Sequence, residues 1–257
     1  MQNNSTRENK QTFFSLNRPL KLFLFSSAIF LTALVVGEAT GSKFISILKL
    51  PFTINLFGMP FQEVIMTAGV IAFPVTFIFT DLLNDLYGKR AVRFVSLVGM
   101  VMIIFEFVLL QAAIKAPTAA ISPVPSEAFN QVFGAAGRII FGSLTAYVIG
   151  QLVDISLFHW LKKKTQGKLL WLRATGSTFG SQLIDTLLVL SIAFYGQLKI
   201  QEILAVTLFN YAYKFIIAII ITPLIYLAHW LMEIYLGKEV VHEMTSLSKK
   251  MDQTHDS

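Results

Sequence analysis

The sequence predicts an all-α integral membrane protein, a six-transmembrane-helix bundle with both termini in the cytoplasm. Three observations predict it. Only 14% of the 257 residues are charged while 54% are hydrophobic; a soluble domain carries roughly 25% charge, so much of this surface must face something other than water. Six mostly apolar stretches each supply the ~20 residues needed to cross a bilayer core of about 30 Å. Lys and Arg alternate strictly between the connections: 15 fall on one side, 5 on the other, and Lys214 lies inside the sixth stretch. That bias orients both ends inward. It also explains the net charge of +6 without nucleic acid as a partner. Cysteine is absent, which excludes disulfides, thiolate metal sites and a cysteine nucleophile.

Residues 1–19 form a polar cytoplasmic tail carrying Arg7, Lys10 and Arg18. The six-helix membrane domain runs over residues 20–236. Its first span, 20–40, follows Arg18 and Lys21; a signal peptide would look similar, but no small-residue cleavage site follows, so the helix is retained. Leu50-Pro51 and Gly58-Met59-Pro60 mark turns before the second span, 62–86. Gly88 ends that span, and Lys89, Arg90 and Arg93 hold the next connection to the cytoplasmic side. The third span covers 91–114. A long connection, 115–135, contains Pro117, Pro123 and Pro125 and suits an exposed loop with a short surface helix. Spans four to six cover 136–160, 176–198 and 202–236, the stretch Phe215 to Met232 being free of charge. Residues 237–257 form the cytoplasmic C-terminal tail.

Charged residues inside a span are costly, about 2.5–3.5 kcal/mol each at a helix centre, and therefore mark function by default. Here they are Glu106, Asp154, Asp185 and Lys214, accompanied by Gln151, Gln182 and Asn210. Three acids against one base leave the interior formally over-negative, so a carboxylate is protonated or a cation or donor ligand compensates it. Tyr147, Gln151 and Asp154 form a stripe at i, i+4, i+7, and Thr178, Gln182 and Asp185 repeat it 31 residues later within Gln-Leu-Val-Asp and Gln-Leu-Ile-Asp. Spans four and five are antiparallel, which levels Asp154 with Gln182 and Gln151 with Asp185, roughly 9 and 13 Å inside the cytoplasmic edge. Facing stripes would set each carboxylate against an amide. Two readings stand: polar glue between helices, or a lined cavity. Asp81, Asn84 and Asp85 share one face at the end of span two, where Asp85 can pair with Lys89; they suit a gating or coupling role or a polar helix end.

No Gly-x-x-x-x-Gly-Lys-Ser/Thr run exists to bind a nucleotide phosphate, and neither a His-Glu-x-x-His nor a Gly-x-Ser-x-Gly motif occurs. His159 and His229 each precede a Trp near a span end, the position of an interfacial belt. The chain carries no catalytic residues, metal ligands or cofactor motif that would make it an enzyme.

Several blocks resemble the queuosine precursor transporters of the vitamin uptake transporter group. They are Phe73-Pro74 leading to Thr80-Asp81-Leu82-Leu83-Asn84-Asp85-Leu86-Tyr87-Gly88-Lys89, then Gly150-Gln151-Leu152-Val153-Asp154, Trp171-Leu172-Arg173, and Ser181-Gln182-Leu183-Ile184-Asp185-Thr186. Family members usually carry Glu where this chain has Asp85, and the segment Gly37 to Lys43 is less typical. The resemblance implies an inner-membrane importer of 7-cyano-7-deazaguanine and 7-aminomethyl-7-deazaguanine, salvaged for tRNA queuosine. Under that reading Asp154 or Asp185 accepts from the guanine-like edge, Gln151, Gln182 and Asn210 read its other groups, and Tyr147 stacks on the ring. Asp81, Asn84, Asp85, Glu106 and Lys214 then serve coupling or gating by a proton or sodium ion. The rival arrangement is a substrate-capture subunit energised by a separate ATPase module, docked through small residues such as Ala28, Thr32, Ala33 and Gly37. A homo-oligomer is the other open assembly.

Overall fold

The computed structural model describes residues 17–165 and 170–253, the side chains of residues 154, 155, 158, 159, 162, 163, 170–178 and 249–253 lying outside the described residues. The expected N-terminal tail, 1–16, lies outside them as well. The chain is mostly helical. Among the described residues four helical stretches are long and apolar enough to cross a membrane: Arg18–Thr40, Ala68–Lys115, Ser126–Val153 and Ile200–Ile220.

Helix α1, Arg18–Thr40, opens where Asn17 Oδ1 accepts from the Leu20 amide at 2.9 Å, the side-chain cap that a helix start needs. It ends at Gly41. The next segment departs from expectation: instead of a loop and an early helix two, residues form an antiparallel hairpin, β1 Phe44–Leu56 and β2 Met59–Thr67. All-α is corrected to that extent. Gly58 does turn the chain, with Phe57 at φ 52° and Gly58 at φ 81°, the double left-handed pair of a tight two-residue hairpin loop. Pro51 is no turn; it falls where the register slips between Lys49 and Ile54, because a proline offers the ladder no N–H. The stretch expected to begin the helix at 62 is rich in Val, Ile and Thr, and pairing with β1 holds it extended.

A short 3₁₀ turn, Ala68–Ala72, leads into α2, Phe73–Lys115, which breaks at Gly88 (φ 81°, ψ 172°), as the expected boundary between spans two and three requires. The connection carries α3, Ser126–Phe133. Helices α4, Ala136–Lys164, and α5, Leu170–Phe194, follow; α5 stops before 198 because Gly196 turns at φ 77°. The sixth span divides into α6, Ile200–Ile220, and α7, Thr222–Leu236, with Pro223 in the first turn of α7. A single 35-residue helix would be about 52 Å long, far beyond a bilayer core, and Pro223 cannot continue the hydrogen-bond ladder. The C-terminal tail is also helical, α8 spanning Lys238–Gln253.

The described chain forms two compact units. One comprises Ala33–Pro74 and Val98–Ile220. In it the hairpin packs on α6, with Phe61, Met66 and Val70 against Ala205 and Phe209, while Phe44 and Ile65 join Phe194, Ile203 and Val206. Thr67 donates to Asn210 Oδ1 at 3.2 Å, tying the end of β2 to α6. Gly37 of α1 and Gly41 just after it approach the backbone at Gly69; a Cβ on Gly69 would sit 2.6 Å from the Gly37 carbonyl oxygen. Such small residues let backbones touch where lipid provides no hydrophobic drive. The other unit contains the described residues of Met1–Thr32 together with Val75–Leu97 and Ile221–Ser257. There Leu82 and Leu86 of α2 pack on Met232 and Leu236 of α7 and Val241 of α8. Tyr87 Oη donates to the Pro19 carbonyl at 2.7 Å.

Candidate functional site

Lys214 organises the first polar group. Its Nζ lies 3.7 Å from Asp185 Oδ2 and donates to Thr186 Oγ1 at 3.1 Å. The ammonium also stands 5.6 Å from the centroid of the Phe73 ring, within cation–π range. Thr186 in turn donates to the Gln182 carbonyl at 2.9 Å, which orients its oxygen to accept from Lys214. The Lys214 and Asp185 side chains keep 22% and 29% of their surface exposed. Charge on apolar helices cannot be spent against hydrocarbon cheaply, so this residual exposure matters.

Helix α4 supplies the facing wall. Ser143, Tyr147 and Gly150 recur at i, i+4 and i+7 on one face. Gly150 lies against Asp185, a built Cβ there meeting the Asp185 Cβ at 3.9 Å, one residue before the Gln151 that antiparallel pairing sets level with Asp185. Ser143 donates to Glu38 Oε2 at 2.9 Å, bringing α1 into the group. Half-buried Tyr147 sits between these two contacts along the helix. Glu38 lies within Coulombic range of Glu106, Asp185 and Lys214. Glu106 Oε2 is enclosed and has no hydrogen-bond partner among the described residues.

The expected pairing of acids with amides is not what Asp185 makes: it meets Lys214, a charged donor, while Gln151 and Gln182 are exposed. Asn210 is buried and engaged elsewhere, its Nδ2 donating to the Val206 carbonyl at 2.8 Å and its Oδ1 accepting from Thr67. Asp154 falls on α4, but its side chain lies outside the described residues, as does that of Thr178. Sequence reasoning missed Glu38 and Ser143. The available signal was a carboxylate inside the small-residue pattern Gly37-Glu38-Ala39-Thr40-Gly41, read only as a polar span end.

A second polar group belongs to the other unit. His229 Nδ1 lies 3.2 Å from Asp85 Oδ2, and its Nε2 lies 3.7 Å from Glu233 Oε1. Asp85 thus bonds a histidine on α7. His229 is correspondingly no mere interfacial belt residue. Asp81, half-buried, is within Coulombic range of Asp85, while Asn84 is exposed. Ser248 of α8 donates to the Asp85 carbonyl at 3.1 Å.

Residues 67–228 match the family described as "Putative vitamin uptake transporter". The chain belongs to this family. Among similar proteins, the "Probable queuosine precursor transporter" of Bacillus subtilis is 29% identical over 75% of this chain and 81% of its own length. The "Queuosine precursor transporter" of Escherichia coli is 30% identical over 60% of this chain and 68% of its own. A Haemophilus influenzae protein also called "Probable queuosine precursor transporter" is 33% identical over 50% and 52%. No solved structure matches. Family membership and the apolar helices identify a multi-pass membrane transporter of a small molecule, not an enzyme. The resemblance carried by the Asp81–Lys89 and Gln182–Thr186 blocks is shown.

Proposed function

We propose that the chain imports queuosine precursors, 7-deazaguanine bases, across the bacterial inner membrane as a secondary transporter. Six crossings with both ends in the cytoplasm fit the alternation of Lys and Arg, with Gly88 separating spans two and three and α7 continuing the sixth. The observation that carries the reading is Asp185 held at 3.7 Å from Lys214 between apolar helices, in a chain of an uptake family whose relatives bear queuosine precursor names. On this reading the exposed part of that pair borders a substrate hollow on the α4 side, where Gly150 lies against Asp185. A carboxylate there accepts from the ring N–H and exocyclic amine of a guanine-like edge, Gln151 and Gln182 supply donors and acceptors for its other groups, Asp154 serves as a second acceptor, and Tyr147 stacks. Asn210 supports the wall through Thr67.

Coupling to a proton or sodium gradient follows from the excess of carboxylates over Lys214, with Asp81, Asn84, Asp85 and Glu106 in gating or coupling roles. Uptake of labelled base into a strain that requires the precursor tests the substrate-binding role: Asp185→Asn and Asp154→Asn proteins that still insert should lose it, and retained uptake would refute the assignment. An ATPase-dependent capture subunit is disfavoured at one point, because Gly37 of the proposed docking seam packs internally on Gly69 and Ala72. Purified protein that takes up base alone in liposomes distinguishes the two.

A further inference from the structure

Helix α3, between α2 and α4, sorts its residues by face. At about 3.6 residues per turn, Ala128, Phe129, Val132 and Phe133 fall on one side and Ser126, Glu127, Asn130 and Gln131 on the other. An amphipathic helix in a folded domain turns its apolar side to a core, yet among the described residues no side chain of α3 is buried. Phe129 and Phe133 pack on each other, 4.7 Å between ring centroids, while Val132 stays exposed. The loop before α3 adds exposed Val124 and Ile121, the latter 94% exposed.

Position decides what covers this surface. Both α2 and α4 belong to stretches long and apolar enough to cross a bilayer, and exposed Val108, Leu109 and Phe141 continue the apolar surface on either side of the connection. On the six-crossing reading, on which this inference rests, both ends of the connection emerge at the non-cytoplasmic face, where Lys115 and Arg138 suit the membrane boundary. Between those two cations Glu127 is the single charge. Pro117, Pro123 and Pro125 bring no backbone N–H to desolvate. Ser122 satisfies the loop locally, its hydroxyl donating to the Val124 carbonyl at 2.8 Å and accepting from the Val124 amide at 3.3 Å. We propose that residues 117–133 lie in the interfacial layer of the non-cytoplasmic leaflet, with Ile121, Val124 and Val132 inserted among the lipid chains and Glu127 and Gln131 facing water. Tethering by α2 and α4 at both ends replaces the basic residues with which an untethered amphipathic helix reaches a membrane. Ser42 Oγ donates to the Val132 carbonyl at 3.4 Å, so the inserted segment also anchors the chain just after α1.

The chain has no cysteine, so single cysteines at Ile121, Val132 and Gln131 can each carry an environment-sensitive fluorophore in the full chain, reconstituted into phosphatidylethanolamine–phosphatidylglycerol vesicles. All three side chains are exposed, so the fold tolerates the changes. The Ile121→Cys and Val132→Cys probes should emit to the blue of the Gln131→Cys probe and be quenched by lipids brominated on the acyl chain; the Gln131→Cys probe should instead be quenched by aqueous iodide. Water-like emission with iodide quenching at all three positions would overturn the proposal. Blue emission at 121 and 132 that brominated lipid leaves unquenched would also overturn it, assigning the face to a second copy of the chain. A membrane-impermeant maleimide that labels Gln131→Cys in inside-out vesicles but not in intact spheroplasts would overturn the six-crossing reading itself.

Discussion

The two polar groups both set carboxylates against a basic side chain, a histidine in one and a lysine in the other, with different outcomes. Around His229, two carboxylates converge on one imidazole, Asp85 at 3.2 Å and Glu233 at 3.7 Å, and α8 closes on the Asp85 backbone through Ser248. Around Lys214, the ammonium is matched to Asp185 at 3.7 Å, while Glu106 Oε2 has no hydrogen-bond partner among the described residues. On the reading proposed above, the first group ties helices of one unit together around the gating or coupling residue Asp85, and the second borders the substrate. Acidic residues near a membrane do not by themselves mark a binding site; what distinguishes one is the hydrogen-bonding and charge capacity left over after the protein's own contacts are counted.

The largest effect should follow removal of the base from the second group. Lys214→Met leaves Asp185 unpaired, and uptake should fall about 100-fold at equal membrane levels, the scale of stranding one partner of an ion pair. Uptake within a few-fold of wild type would place transport elsewhere. Packing comes next. Gly69→Leu forces side-chain volume into the approach of α1 to the 3₁₀ turn and should lower stability by about 1–3 kcal/mol, seen as earlier thermal unfolding in detergent. Ser143→Ala removes the hydroxyl that ties α4 to Glu38 of α1 and should cost about 1 kcal/mol of stability, read as a slightly earlier thermal transition in detergent. The smallest effect on transport belongs to the first group: His229→Gln retains hydrogen bonding to Asp85, so uptake should change less than about threefold, well under the Lys214→Met loss. A collapse equal to that of Lys214→Met would erase the distinction between the two groups.

Much of this contrast could be read from residue order. The stripe containing Asp185, the break at Gly88 and, to within one residue, the level of Asp185 on α4 (Gln151 expected, Gly150 found) follow from helical periodicity and antiparallel pairing. The hairpin did not follow, because its turn is Phe57-Gly58 rather than an Asn-Gly pair, and its strands are apolar enough to pass for connection and helix. The break before Pro223 was hidden by an uncharged run whose hydropathy says nothing about its hydrogen bonds. Lys214 was recognised as an intramembrane base, but its partner was not, since amides at matching depth looked like sufficient company for Asp185. Glu38 was missed for a related reason: its partner Ser143 lies 105 positions away, a pairing that only tertiary packing creates.

The central claim, that one face of α4 borders a water-filled substrate hollow, is open to direct measurement because the chain contains no cysteine. Single-cysteine proteins are made at Tyr147, on the face shared with Ser143 and Gly150, and at Val148, which is 57% exposed next to it, and treated with a hydrophilic maleimide. Tyr147→Cys should be labelled, and added deazaguanine should slow that labelling, while Val148→Cys in lipid stays unreactive. Labelling confined to position 148, or labelling at 147 that the base leaves unchanged, would contradict the claim.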